Sequence, residues 1–244
     1  MRACLMMSEK SAEQRPTLEQ TISLGHRRLH PLLRDSYYLS LIERRKRFAE
    51  AVKQVPGNSL RVLDVGGRIQ PYRPLLDGRL EAYIAVDLQR TELVDVLAVG
   101  ERLPFAEGVF DVVLCSQMLC YAEDAPKVID EIYSVLRPGG ALLLSVPAIL
   151  PYHAENDRWR FSPGALRLLL SRFSRVDVSP EGYSLLGACH VVAHFVDSFG
   201  ENTLLQRLVH FTLIPLINLV GKRFDNWSRP DTSLSNSFFA FARK

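Results

Sequence analysis

The sequence predicts an α/β fold, a mostly parallel sheet with helices on both faces, and three observations carry that reading. Leu60–Val65, Val109–Cys115 and Ala141–Val146 are short, almost wholly apolar runs, as expected of strands buried on both sides. Segments with apolar residues at helical spacing lie between such runs, the alternation that builds right-handed βαβ units. The first run closes on Gly66-Gly67, and another, Ala82–Val86, closes on Asp87. In open sheets of this kind ligands sit beyond the carboxyl ends of the strands.

Bulk properties agree with one sizeable core. The 244 residues are 47% hydrophobic and 23% charged, with a mean hydropathy near zero. The net charge of +3 is uneven, because residues 1–60 hold eleven Lys/Arg against six Asp/Glu. An excess this small does not imply nucleic acid as a partner. Cys4, Cys115, Cys120 and Cys189 form no CxxC pair, which points to a reducing cytoplasm rather than a disulfide framework. The apolar run in Met1–Met7 is too short for a signal peptide. His153 and Asp157 stand four apart without further ligands in sight, so no metal is expected.

In chain order, residues 1–20 read as a polar tail and 21–57 as a helical segment. Within the latter, Tyr38, Leu41, Ile42, Phe48, Ala49 and Val52 recur at helical spacing, and the run Glu43–Arg47 reads mainly as a solvated face. Pro56-Gly57-Asn58 ends it. Residues 58–180 form the core, with a third strand expected over Leu93–Ala98 and a helix over Ala125–Leu136. Arg137-Pro138-Gly139-Gly140 stops that helix. A further helix over Pro163–Phe173 has Ser162 as its cap, and a strand is expected over Arg175–Val178. Residues 181–235 read as a helical insertion or lid, and 236–244 as the final strand. Leu208–Gly221 is uncharged but only 14 residues long, whereas a membrane span needs roughly 20. It is expected to pack as a helix pair, with an interfacial helix, hence peripheral membrane contact through 204–220, as the alternative.

The chemistry is expected at the strand ends. Gly66-Gly67 lets backbone pass close to a ligand, and Asp87 follows Asp64 by 23 residues. An acid about 20 residues beyond a glycine turn is suited to the hydroxyls of a ribose.

The motifs then make a resemblance specific. Val62-Leu63-Asp64-Val65-Gly66-Gly67, Tyr83–Asp87, Leu103-Pro104-Phe105, Phe110-Asp111-Val112-Val113 and Glu131–Gly140 follow one another as in the type 11 methyltransferases dependent on S-adenosylmethionine (AdoMet), over about 60–147. Asp157–Ser162 is similar to a substrate-side segment of that family. The resemblance implies a class I, Rossmann-like three-layer sandwich with seven strands, one of them reversed. It also implies AdoMet as cofactor and a small-molecule, glycan or lipid-linked acceptor. By the same resemblance Asp64, Gly66 and Gly67 line the methionine part, Asp87 binds the ribose, and Leu88 packs on the adenine. Glu101 and Leu103 lie in the adenine-side loop, and Ser116 and Gln117 border the methyl group. Tyr121, His153, Trp159 and Arg160 are candidate substrate contacts, with His153, Tyr121 and Asp157 candidate general bases.

Three departures stand out. Arg68 and Gln70 occupy places where the family has further glycines, Val99 stands where an Asp meets the adenine, and Cys120-Tyr121 replaces Glu-His. They motivate a second hypothesis, a non-catalytic binding or regulatory module on the same fold. A nicotinamide-dependent oxidoreductase, a third hypothesis, is disfavoured by the lack of GxGxxG after the first strand.

Overall fold

The computed structural model describes residues 16–152, 156–198, 209–225 and 231–244. Helices α1 (Leu18–Leu29) and α2 (Tyr38–Gln54) precede strand β1 (Leu60–Val65). Strands β2 (Leu80–Asp87), β3 (Val96–Leu97) and β4 (Phe110–Ser116) follow, then helix α3 (Ala125–Val135) and strand β5 (Leu136–Pro147). Helix α4 (Pro163–Leu169), strand β6 (Arg175–Pro180), helices α5 (Ser184–Ser198) and α6 (Ile214–Phe224) and strand β7 (Ser237–Arg243) complete the order.

The seven strands form one sheet in the order β3-β2-β1-β4-β5-β7-β6. Only β7 is reversed, running antiparallel to both β5 and β6. Successive residues of β1 point to opposite faces, as the period of two requires. Leu63 and Val65 enter a core completed by Val128 and Ile132 of α3, Leu166 of α4 and Leu170 just after it. Leu60 and Val62 enter the other, with Phe48 and Val52 of α2, Tyr72 and Leu29. Tyr38 and Leu39 meet Leu186 in a third cluster that ties α2 to α5.

Three sequence expectations need correction. Helix α1 begins at Leu18, inside the segment read as tail, because Thr17 and Gln20 form a capping box. Residues 1–15 lie outside the described part. The strand expected over Leu93–Ala98 shrinks to Val96–Leu97. The Asp95 carboxylate takes the Ala85 N–H at 2.8 Å, which replaces a ladder bond at this one-sided edge strand. Arg44, placed with the solvated run, is buried. It shares the stripe of Ser40, Phe48 and Ala51, one or two turns away, and Glu181 neutralises it at 2.9 Å.

Helix boundaries otherwise follow the local chemistry. Asp124 caps α3 and Ser162 caps α4; the latter helix ends at Leu169, and turns carry the chain on to Phe173. Asp225, at the end of α6, accepts the N–H groups of Tyr183 and Leu186 at 2.8 Å each. One carboxylate thus satisfies the orphan donors at the start of α5 and closes the helix hairpin.

Candidate active site

The carboxyl ends of β1 and β2 meet at the glycine turn. Gly66 has φ +86, and a Cβ there would stand 2.7 Å from Met118 Cβ. Both Gly66 and Gly67 donate their N–H groups to the Val86 carbonyl, at 2.8 and 3.1 Å. The turn therefore folds back onto β2, one residue before Asp87. Asp64 lies beneath it, 5% exposed, and accepts the Tyr83 hydroxyl at 2.6 Å. Burial pushes the Asp64 carboxyl up to about 7, and the neighbouring Asp87 adds to the rise. Asp87 takes the Gln89 N–H at 2.8 Å, an Asx turn that fixes the carboxylate at the strand end. Leu88 beside it is 70% exposed.

The unusual residues after the glycines have structural work of their own. The Arg68 guanidinium reaches the Gln89 amide, and the Arg68 carbonyl accepts the Thr91 hydroxyl at 2.8 Å. Gln70, at φ 44, donates to the Leu93 carbonyl at 2.6 Å and accepts from Arg73 at 3.0 Å. Side chains thus lace the loop after β1 to the loop after β2. Helix α1 closes over them, since a Cβ on Gly25 would meet the Ile69 carbonyl oxygen at 2.3 Å.

At the end of β4, Gln117 adopts φ 54. Its N–H donates to the Ser145 carbonyl at 2.8 Å and its Nε2 to the Ser145 hydroxyl at 2.9 Å. Ser145 also bonds Glu181 and accepts from Arg44 at 3.0 Å. The Tyr72 hydroxyl lies near both Ser116 and Arg44. Ser116 and Gln117 are therefore held by a buried polar network rooted in the Arg44–Glu181 ion pair. Sequence reasoning missed Arg44, Tyr72, Tyr83, Met118 and Glu181. Of these only Met118 carried a local signal, its place immediately after Gln117; it packs against both Gly66 and Gly100.

Among the other candidates, Glu101 accepts the N–H groups of Glu123 and Asp124 at 2.8 and 3.3 Å, so it organises the loop before α3. Leu103 is buried, and its N–H goes to Glu131 at 2.8 Å. Val99 is exposed. The segment Asp157–Phe161 lies along Cys120–Ala122: Arg158 and Trp159 donate their N–H groups to the Cys120 carbonyl, and Trp159 Nε1 donates to the Ala122 carbonyl at 2.9 Å. Arg160 forks onto both oxygens of Asp157, at 2.5 and 2.8 Å, and also reaches the Leu150, Pro151 and Trp159 carbonyls. Such a guanidinium is spent on the loop and does not reach out to an anionic substrate. Burial pushes the Tyr121 hydroxyl and the Cys120 thiol up to about 12 each, so neither ionises near neutrality. His153 lies outside the described residues, and among these no group of three or more His, Cys, Asp or Glu suits a metal ion.

The family described as "Methyltransferase domain" matches residues 63–144, which run from β1 to β5. Two human proteins are similar over part of the chain. Mitochondrial arginine-hydroxylase NDUFAF5 is 33% identical over 108 residues, 40% of this chain and 31% of its own length. Thiol S-methyltransferase TMT1B is 38% identical over 66 residues, 27% of each. The matches therefore span less than a third of these relatives. Among solved structures, 1,6-didemethyltoxoflavin-N1-methyltransferase of Burkholderia thailandensis superposes with a TM-score of 0.53 at 18% identity, covering 83% of this chain and 78% of that one. Strand order, the glycine turn and the sequence match from β1 to β5 agree: residues 63–144 match the methyltransferase-domain family, on a Rossmann-like methyltransferase fold.

Proposed function

We propose that the chain transfers a methyl group from AdoMet to a small-molecule, glycan or lipid-linked acceptor. The observation that carries this reading is the pairing of Asp64 and Asp87 at the ends of adjacent strands, on either side of the Gly66 turn. The donor set fits the cofactor: a buried carboxylate suits an ammonium group, and an acid fixed at a strand end suits a vicinal diol. AdoMet supplies a methyl group already activated on a sulfonium. The toxoflavin methyltransferase structure holds the demethylated product, S-adenosylhomocysteine, which supports the assignment by fold.

What remains for the protein is alignment. Asp64 would orient the amino-acid end, Asp87 the ribose, and Leu88 would lie along the adenine. Ser116 and Gln117, fixed from behind by Ser145, would border the acceptor. No strong base is needed, and of the candidates Tyr121 stays protonated near neutrality and Asp157 is held by Arg160. Calorimetry with AdoMet and S-adenosylhomocysteine tests the reading, and binding of both, lost in Asp87→Ala, is expected. No binding of either at millimolar concentration overturns it.

A second reading, a cofactor-binding module without turnover, is favoured by the lacing of Arg68 and Gln70 across the cleft. Calorimetric binding combined with no passage of labelled methyl from AdoMet into cell extracts would select it.

A further inference from the structure

Helices α5 and α6 grow from the carboxyl end of β6 and return to the start of β7. They stand at the edge of the sheet that carries Asp64 and Asp87. Inward, α6 buries Ile214, Asn218 and Gly221. Outward it presents Leu216, Leu219 and Val220, the first of them 58% exposed. The π-helical turn before it presents Phe211, 63% exposed, and the α1–α2 loop presents Leu32 and Leu33. The loop is pinned to the buried face of this helix. Buried Asn218 donates its Nδ2 to the Leu33 and Asp35 carbonyls, at 2.8 and 2.9 Å. The Arg34 guanidinium also lies 5.2 Å over the Phe211 ring. An apolar patch held up by a dedicated buried amide is not an accident of chain ends.

Charge decides what covers it. The exposed ions at its rim are Arg34, Lys222 and Arg223. Among the described residues, the carboxylates of the same segments are less exposed and are hydrogen-bonded within the fold. Asp35 caps Leu32 N at 2.7 Å, Asp197 takes the Ser36 hydroxyl and His210, and Asp225 caps α5. A second copy of this chain would bring like-charged rims together. Apolar residues ringed by cations match the interface of an anionic bilayer, where the patch enters the acyl boundary and the cations meet headgroup phosphates.

We propose that this patch docks the chain peripherally on anionic membranes, with the ligand edge of the sheet towards the headgroups. Docking is lateral, since among the described residues no helix is long and apolar enough to cross a membrane. The inference stands apart from the methyl-transfer reading.

Cosedimentation of the full chain with vesicles tests it, using phosphatidylcholine alone and phosphatidylcholine with about a third phosphatidylglycerol. The expected result is binding to the mixed vesicles that weakens as salt rises. Arg34→Gln with Arg223→Gln should lower the partition coefficient about tenfold. Leu216→Glu with Leu219→Glu should abolish binding while leaving AdoMet affinity and the unfolding midpoint unchanged. A chain that stays off mixed vesicles overturns the proposal without needing any variant. So does equal binding to neutral vesicles, undiminished binding of the Leu216/Leu219 variant, or a dimer in light scattering that the same substitutions dissolve. Failure to bind AdoMet would sink only the methyl-transfer reading.

Discussion

Arg44 of α2 and Glu181, just beyond β6, form an ion pair at 2.9 Å with side chains only 5% and 0% exposed. The pair is not isolated. Ser145 bonds both partners and passes the arrangement on to Gln117. Removing one partner leaves a buried uncompensated charge, which costs about 3–5 kcal/mol. Arg44→Met is therefore expected to destabilise by that amount in urea unfolding. Arg44→Met with Glu181→Gln should recover most of it, because neither charge remains. Equal losses in the single and double variants would mean that the pair is mere filling.

The Asp64 carboxyl makes stability depend on pH. Its pKa is about 7 in the folded chain against an ordinary 3.8, so the folded state holds the proton more tightly across that interval. Stability from this group is fully present below about 4 and falls as the pH rises to about 7. Asp64→Asn removes the charging penalty, and above pH 7 the variant is expected to be more stable than the parent by on the order of 1–3 kcal/mol. The gap should close towards pH 4. Its AdoMet affinity should fall about tenfold or more, since the ammonium loses its counter-ion. Urea unfolding at the two pH values reads the first effect, and calorimetry the second.

Gly66 offers a test of the turn itself. In Gly66→Ala the new methyl meets Met118, and the residue must also hold φ +86. Steric conflict and backbone strain together are expected to cost about 2–4 kcal/mol. Adding Met118→Ala removes the first and leaves the second, so the double variant should regain part of the loss. A double variant worse than the single one would show that Met118 supports the turn rather than merely abutting it.

Tyr121 separates a base from a bystander. With its hydroxyl pushed up to about 12 by burial, Tyr121→Phe is expected to change kcat by less than about threefold, whereas a general base contributes roughly a hundredfold or more. Labelled-methyl transfer at neutral pH, once an acceptor is in hand, reads the difference.

The central strands were legible because each is a closed apolar run buried on two sides, so composition alone marks β1, β4 and β5. The motif blocks were legible for a related reason: many of them hold the sheet together. Asp111 ties the Arg61 N–H at 2.7 Å to Arg137 at 2.8 Å, and Phe105 packs edge-on against Phe110 at 5.1 Å. Identity of the fold is written in such residues, and they say little about the acceptor. What stayed hidden depends on distant partners. A charged residue in a run of five reads as solvated until Glu181 is seen to lie against it. Trp159 and Arg160 carried the chemistry of a substrate grip, yet the nearby Ala122 carbonyl and Asp157 take their polar atoms. The third strand was expected too long because Asp95 substitutes a side chain for a backbone partner.

The Asn218 amide reaches carbonyls 185 and 183 positions earlier in the chain. Closing loops of that span carries a large entropic toll before any contact rewards it. On a ribosome, α1 and α2 emerge long before the segment that will pin their connecting loop, and Arg44 waits 137 positions for Glu181. The Asn218 pin and the Arg44–Glu181 pair are thus late events in the life of each molecule, closing after the chain of β1 to β5 has been made. Pulse-labelling hydrogen exchange during refolding should see the amides of β4 and β5 protected well before those of α6.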